Sequence, residues 1–357
     1  MKFDFEIVRP LEIHDTKASH YLNLIIGFLG EVNIQSRIKR IRQIYDYEKG
    51  TIYRKYYLDK KYSFWNSLIA SYEFKKSGKS FKGALKSQFI KSIMTACYIG
   101  SLYKTFTQSK LKQLKSIILK LENMQSCIFE LQVAASLWKF GFDIQWFEDS
   151  QDKRIPEFKA TYKDITIEIE CKSKNINTGR QILREDFYRL SDNFFKEIYL
   201  FDEYSGLVSL TFNKKLPSNQ SYQCEIIGKL IKLCKRSSFG EIINIIEKDY
   251  CIQIEKVVNN DNSEEFDQKI IEIQKNNPTL PYLVASTWKN KDSEKMWVIF
   301  KLESKTEDQV IKKIIEEIND GIKQFTGNSS SIICCHIPEI DSFSGLENSS
   351  AVKNATN

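Results

Sequence analysis

The chain has 357 residues, of which 42 % are hydrophobic and 28 % charged, and this composition is typical of folded proteins and excludes a disordered chain. Its length predicts two domains, or one enlarged domain with a helical extension. The net charge of +7 is unevenly divided: residues 1–118 carry 22 Lys and Arg against 9 Asp and Glu, a net of +13, and the remaining residues carry 31 against 37, a net of −6. A basic segment joined to an acidic one predicts contact with a polyanion, or else a solvated lysine-rich surface.

Membrane, secreted and zinc-binding proteins are also disfavoured. The longest apolar segment, Leu22–Gly30, is far shorter than the roughly 20 residues that span a bilayer, and no signal-peptide pattern is visible at residue 1. We therefore expect a cytoplasmic protein with no membrane partner, whose eight cysteines are reduced. Cys334, Cys335 and His336 are adjacent, so on a strand they would alternate between faces and could not easily share one metal.

The first 118 residues are predicted to be mainly helical, because apolar residues recur three and four apart. The helical patterns cover Tyr21–Val32, Trp65–Phe74, Phe81–Tyr103 and the residues from Leu111 onward. Basic residues interleaved with Tyr53, Tyr56, Tyr57 and Tyr62 could clamp a phosphate backbone and stack on bases, or could be core tyrosines beside solvated lysines. Gly78-Lys79-Ser80 ends like a phosphate-binding loop, but Glu73 stands where that motif needs glycine, which excludes an NTPase.

An α/β arrangement is predicted from residue 115 onward. Its order of helix, strand, hairpin, helix and strand indicates a mixed core. The segments are a helix from Lys115 to Phe140 with a left-handed cap at Gly141, a strand at Phe142–Phe147, a polar loop at 148–154, a hairpin of Glu157–Tyr162 and Ile165–Lys172, a helix at Arg180–Tyr199 and a strand at Leu207–Phe212.

Further helices and strands are predicted at 224–236, 282–287, 296–301, 308–325 and 331–337, and a disordered tail from residue 342. The pattern does not show whether 224–340 complete the core sheet or form an insertion. The predicted organisation is a basic helical region over 1–118, an α/β domain over 119–341 with its motif core at 130–212, and the tail at 342–357, with 215–300 as a candidate insertion in the α/β domain.

The hairpin carries the residues with chemical potential. Side chains alternate along a strand, so Thr166, Glu168, Glu170 and Lys172 share one face and Ile165, Ile167, Ile169 and Cys171 the other. Glu157, directly after Pro156, begins the partner strand and could join Glu170 and Lys172 in one cluster. Paired carboxylates hold Mg²⁺, which activates water and neutralises phosphate charge, while a lysine orients the attacking water.

Here the sequence resembles the PD-(D/E)XK nuclease superfamily, which has the restriction-endonuclease-like fold. Pro156-Glu157 stands at the P-D position, Glu170-Cys171-Lys172 at the (D/E)-x-K position, and Glu130 in an upstream helix where this superfamily often has a further carboxylate. The resemblance implies a central mixed sheet flanked by helices, with Glu157, Glu170 and Glu130 as ligands of Mg²⁺ or Mn²⁺ and Lys172 as the water-positioning residue. One departure is Glu157, because Asp is usual there and the longer side chain shifts the carboxylate.

The resemblance implies a metal-dependent nuclease in a setting such as restriction or anti-phage defence, and it favours DNA over RNA as the substrate, although the sequence does not decide between the two. The alternative is a catalytically silent protein of the same fold that binds nucleic acid or scaffolds a complex. A homo-oligomer or a protein partner remains open. Glu168 is interpreted as a solvated neighbour, Lys174 and Arg180 as candidate phosphate contacts, and Gln324 as a surface residue, although this superfamily sometimes has a glutamine facing its site.

Overall fold

The computed structural model of the chain describes residues 15–81, 86–121, 124–147, 155–174, 177–201, 204–257, 263–276, 282–291 and 295–336. The polar loop predicted at 148–154 and the tail predicted from 342 lie outside the described residues. Two compact units are present, and each is defined by its stretches of chain. The motif unit comprises the described residues within Met1–Lys49, Leu58–Ile176 and Ile311–Asn357, and the inserted unit comprises those within Gly50–Tyr57 and Asn177–Val310.

The chain is a mixed α/β protein with a helical N-terminal region, as predicted. The α-helices are α1 (Ala18–Leu29), α2 (Glu31–Tyr47), α3 (Asp59–Lys61), α4 (Ser63–Lys76), α5 (Ser87–Leu102), α6 (Gln108–Leu119), α7 (Met124–Lys139), α8 (Arg184–Ile198), α9 (Gln220–Arg236), α10 (Ser263–Asn276) and α11 (Val310–Ile322). The strands are β1 (Asp143–Trp146), β2 (Phe158–Tyr162), β3 (Ile165–Ser173), β4 (Gly206–Phe212), β5 (Ile242–Ile246), β6 (Tyr250–Lys256), β7 (Leu283–Lys289), β8 (Lys295–Ser304) and β9 (Ser330–His336).

The continuous helix predicted over Lys115–Phe140 is wrong, because α6 ends at Leu119 and α7 begins at Met124. Leu121 between them has a φ of 67°, a left-handed conformation that interrupts helical hydrogen bonding. The apolar spacing runs on through the break, since Ile118, Leu121 and Met124 are all buried. The end of α7 is as predicted: Gly141 has a φ of 87°, and its N–H donates to the carbonyl of Trp138 at 2.9 Å.

The motif unit contains a four-stranded mixed sheet in the order β1-β2-β3-β9. β1, β2 and β3 form an antiparallel meander, and β9 pairs with β3 in parallel. A parallel neighbour needs a crossover connection, and α11 immediately precedes β9. Along the chain, the strands of this sheet and the helices next to them follow in the order α7, β1, β2, β3, α11 and β9. Residues 177–309 lie between β3 and α11.

The inserted unit has a sheet of its own, in the order β5-β6-β4-β8-β7. The motif core predicted over 130–212 includes the strand at Leu207–Phe212, but this strand lies in the second sheet as β4, between β6 and β8. β4 is buried along most of its length, which is typical of a central strand. Hydrophobic patterning alone could not assign it, because a central strand of either sheet would show the same apolar run.

The two ends of the insertion meet within the inserted unit. The Gln309 N–H donates to the Gly179 carbonyl at 2.6 Å, and the Gln181 N–H donates to the Asp308 carboxylate at 2.8 Å. Arg180 forms an ion pair with the same carboxylate at 3.2 Å. Because its two ends lie side by side, a long insertion can be placed between β3 and α11 without lengthening the distance that this connection has to span.

Candidate active site

Strand β3 presents its two sets of side chains to different helices. On one face, the Phe129 ring of α7 lies 5.4 Å from the ring of His336, which pairs with Ser173 of β3. On the opposite face, a Cβ placed on Gly321 of α11 would lie 3.3 Å from the Lys172 side chain and 3.5 Å from that of Glu170. The predicted alternation is therefore present, and α11 crosses the polar face where its glycine leaves room for Glu170 and Lys172.

Glu170 and Lys172 form a close ion pair on this polar face. The Lys172 Nζ lies 2.5 Å from the Glu170 Oε1, and the Glu170 side chain is 2 % exposed. Burial raises the pKa of the Glu170 carboxyl above its usual value, whereas Lys172 and the main-chain N–H of Glu157 act in the opposite direction. A largely desolvated carboxylate next to one ammonium is the arrangement that functional sites often show.

Gln324 contacts this pair from the C-terminal end of α11. With its NH₂ group directed at the acid, its nitrogen lies 2.5 and 2.9 Å from the two carboxylate oxygens of Glu170. In the opposite orientation its oxygen accepts from the Lys172 Nζ at 3.3 Å. The interpretation of Gln324 as a surface residue is therefore wrong, because it faces the predicted site in either orientation of the amide.

Glu168 is also placed differently from its prediction as a solvated neighbour. Its side chain is fully buried and accepts hydrogen bonds from the N–H of Thr326, at 2.8 Å, and from the Thr326 hydroxyl. These bonds connect the turn after α11 to β3. Glu168 thus has hydrogen-bond donors within the fold and connects β3 to the turn between α11 and β9.

The remaining predicted acids meet around a lysine. The Lys110 Nζ of α6 lies 3.8 Å from the Glu130 Oε2 and 3.9 Å from the Glu157 Oε2. It also lies 4.8 Å from the centre of the Trp146 ring, a cation–π contact. The Glu157 N–H donates to the Ile169 carbonyl at 3.0 Å, which fixes the start of the hairpin. Sequence reasoning did not single out Lys110, since nothing local distinguishes it from the other lysines of this region.

The site therefore has two clusters joined through Glu157. One is Glu170 with Lys172 and Gln324, and the other is Glu130 and Glu157 with Lys110. Glu157 belongs to the second cluster by its carboxylate, and its main-chain N–H, which donates to the Ile169 carbonyl, also lowers the pKa of the Glu170 carboxyl.

Glu130 and Glu157 also act on Cys171, on the other face of β3 from Glu170. The pKa of the Cys171 thiol is raised by its hydrogen bond with Cys334, by burial and by the nearby charges of Cys334, Glu130 and Glu157.

The more distant phosphate-contact candidates are already paired. Lys174 forms a close ion pair with Glu317 of α11 in the motif unit, and Arg180 is paired with Asp308 in the inserted unit. The tyrosines of the N-terminal region divide: Tyr53 and Tyr62 are buried, whereas Tyr56 is 41 % exposed. The core interpretation thus applies to Tyr53 and Tyr62, whereas Tyr57 is half-buried and the exposed Tyr56 stacks on the ring of Tyr188.

The donor set suits a hydrated divalent cation. Within the described ranges, no three or more His, Cys, Asp or Glu side chains converge as a group able to hold a metal. Mg²⁺ does not need such a group, since it retains several waters and commonly uses one or two carboxylates. Glu130 and Glu157 each place a carboxylate oxygen near the same positive charge, the Lys110 ammonium. This position therefore already accepts a cation, and it offers hard oxygen donors. A fully protein-enclosed ion does not fit these residues.

No family model, curated protein or solved structure matches the chain. None of the helices in the described part is long and apolar enough to cross a membrane.

Proposed function

We propose that the chain is a nuclease that hydrolyses phosphodiester bonds with the help of Mg²⁺ or Mn²⁺, and that its substrate is DNA rather than RNA. The observation that carries this proposal is the Glu170–Lys172 pair at 2.5 Å, on a hairpin strand whose partner begins with Glu157. Carboxylates with an adjacent ammonium, contacted by a glutamine just after α11, make an arrangement suited to handling a phosphate.

The order of elements supports a restriction-endonuclease-like core. The resemblance implies a mixed sheet flanked by helices, and the motif unit has α7, an antiparallel meander, α11 and a parallel fourth strand. The motif residues lie on the two central strands, β2 and β3, or immediately before them. In this proposal the last helix and strand of the core are α11 and β9, and the chain between β3 and α11 is an insertion.

Each side chain has a role that follows from its contacts. The bound divalent ion would supply a lower pKa to a coordinated water and neutralise phosphate charge. Glu157 and Glu130, whose carboxylates both approach the Lys110 ammonium, would provide oxygen donors for it, and the resemblance adds Glu170, which belongs here to the cluster of Lys172. The Lys172 ammonium orients the attacking water and stabilises charge on the phosphate oxygens as the new P–O bond forms and the ester P–O bond breaks. Gln324 restrains the Glu170 carboxylate by bonding to both of its oxygens.

The basic N-terminal region would hold the phosphate backbone. Residues 1–118 carry a net charge of +13, and a surface of that sign offsets the repulsion between an acidic site and a polyanion. Restriction or anti-phage defence in the cytoplasm is the setting that the resemblance favours.

A catalytically silent nucleic-acid-binding or scaffolding protein is the second candidate. Two observations favour it: Glu157 stands where Asp is usual, and Lys110 lies against two of the three acids proposed to bind metal. The retained Lys172, placed directly on Glu170, favours catalysis, because binding alone does not need that pair.

A cleavage assay tests the proposal. Purified chain is incubated with supercoiled plasmid, linear duplex, single-stranded DNA and RNA, each in Mg²⁺, Mn²⁺ or EDTA, alongside Lys172→Ala and Glu170→Gln. Lys312→Ala, an exposed lysine of α11, is the matched control. We expect metal-dependent cleavage that each site variant lowers by about a hundredfold or more and the control leaves intact. Cleavage that survives Lys172→Ala, or that persists in EDTA, would overturn it.

The silent alternative is separated by binding measurements on the same proteins. If no nucleic acid is cleaved but duplex DNA binds, and Lys172→Ala leaves the affinity unchanged, the binding-module interpretation is correct.

A further inference from the structure

We propose that Lys110 is a tethered cation that occupies the metal-binding carboxylates Glu130 and Glu157 and that a divalent ion must displace it. This inference rests on the proposed function, since it concerns the cation site of the same centre. It assigns to Lys110 a role in controlling metal affinity, which the motif residues alone do not indicate.

The placement of Lys110 argues for a specific role. Its side chain is 11 % exposed, and lysines are rarely so buried unless they are paired. It is also the third residue of α6, whose first turn is capped by the Thr107 hydroxyl accepting from the Lys110 N–H at 3.1 Å. A positive side chain in the first turn of a helix is opposed by the helix dipole. The two carboxylates provide the compensating interaction.

The ammonium is positioned as a counter-ion rather than as a tightly bound donor. Its distances of 3.8 and 3.9 Å to Glu130 and Glu157 exceed the 2.7–2.9 Å typical of charge-assisted hydrogen bonds. Trp146 forms another side of this position, and its ring is fixed because Nε1 donates to the Thr105 hydroxyl at 3.0 Å. A single charge held by Coulomb attraction at these distances can be displaced by a doubly charged ion that binds the oxygens directly.

The two possible roles of Lys110, as a competitor of the metal or as a purely structural residue, predict opposite changes in metal affinity when its charge is removed. If Lys110 competes with the metal, then removing its charge should tighten metal binding. If instead Lys110 only holds Glu130 and Glu157 in place, then removing it should loosen their geometry and weaken binding.

The test is calorimetric titration of Mn²⁺ into the full chain after stripping with EDTA. Wild type is compared with Lys110→Met and with Lys112→Met, an exposed lysine of the same helix. We expect Lys110→Met to bind Mn²⁺ about tenfold more tightly, since a positive charge near 4 Å from the ligands has been removed, and Lys112→Met to match wild type. Lys110→Gln, which keeps a polar side chain, is the second variant should Lys110→Met fail to fold by circular dichroism.

A double variant locates the effect. In Lys110→Met with Glu130→Gln, the gain in affinity should disappear, because one of the two contested carboxylates is gone. A gain that persists in the double variant, or unchanged or weaker binding in Lys110→Met, overturns the role of Lys110 while leaving a Mn²⁺-binding nuclease intact. Absence of Mn²⁺ binding in folded wild type and in both Lys110 variants overturns this inference together with the proposed metal site.

Discussion

Lys172 and Glu170 are two positions apart on β3, and the Lys172 Nζ lies 2.5 Å from the Glu170 Oε1 on the face that α11 covers. The pair is buried on the acid side and more accessible on the lysine side, with exposed fractions of 2 % and 18 %. The carboxylate is thus desolvated while the ammonium retains a path to solvent.

Stability should depend on pH through Glu170. Burial raises the pKa of this carboxyl, so its contribution to the free energy of unfolding is fully present below the ordinary glutamate pKa and is lost as pH rises through the folded-state value. Glu170→Gln lacks this ionisation, so the stability of wild type relative to the variant should fall across that window. Urea unfolding in EDTA at a series of pH values measures this difference in the free energy of unfolding.

The control for the pH series is Glu316→Gln, because Lys313 lowers the pKa of Glu316 and gives the opposite trend. Parallel curves for wild type and Glu170→Gln would contradict the prediction.

Gly321 should tolerate alanine but not a branched side chain. A Cβ there would lie 3.2 Å from the Ile333 Cδ1 and 3.3 Å from the Lys172 Cε, both of which are ends of flexible side chains. Valine adds two further methyl groups against them, so Gly321→Val should lower the free energy of unfolding by about 1–3 kcal/mol. Thermal unfolding is compared with Gly228→Val in α9, where a Cβ meets nothing within 4 Å. Equal losses in the two valine variants would show that α11 does not pack closely here.

The turn after α11 should depend on the hydroxyl of Thr326. Glu168 is fully buried and accepts from both the N–H and the hydroxyl of this residue. Thr326→Val keeps the shape but leaves a buried carboxylate without one donor, which should cost about 1–3 kcal/mol. The measurement is chemical denaturation beside Thr287→Val, an exposed strand position expected to change stability by less than about 0.5 kcal/mol. A Thr326 variant as stable as that control would mean that Glu168 does not rely on this bond.

The contact between the two ends of the insertion, at Gly179 and Gln309, should require glycine at position 179. Gly179 has a φ of 74°, and a Cβ would lie 2.7 Å from the backbone of Gln309. Gly240 has the same φ but open space around it. Gly179→Ala therefore adds a backbone clash to the strain of about 1 kcal/mol that both alanine variants share, and we expect a total loss of about 2–4 kcal/mol. Differential scanning calorimetry should show the larger effect in Gly179→Ala, and identical melting curves would contradict the predicted clash.

Much of the local structure was predictable because its causes are local. The hairpin of β2 and β3 follows from the period-two pattern around Lys163-Asp164, and the end of α7 follows from Gly141. The same alternation assigned Glu170 and Lys172 to one face. The break at Leu121 was not predictable, because the buried positions on either side keep helical spacing through it.

Contacts between distant parts of the chain were not predictable in this way. Gln324 reaches Glu170 across 154 positions of sequence, and Lys110 reaches Glu157 across 47. Two strands, β4 and β9, show similar apolar runs, yet β9 pairs with β3 and β4 lies in the other sheet. Strand pairing of this kind depends on which sheet edges and faces the whole fold makes available to each strand.

By itself the sequence determined the helical N-terminal region, the hairpin and the acidic and basic residues that share its polar face, because periodicity and turn chemistry act over a few residues. The tertiary structure alone decided that β9 completes the motif sheet and that α11 covers its polar face. It also decided that Glu168 is buried against Thr326 and that Lys110 contacts both Glu130 and Glu157. The physical reason is that burial and pairing depend on all the surfaces available in the folded chain, whereas a sequence pattern records only the preferences of neighbours.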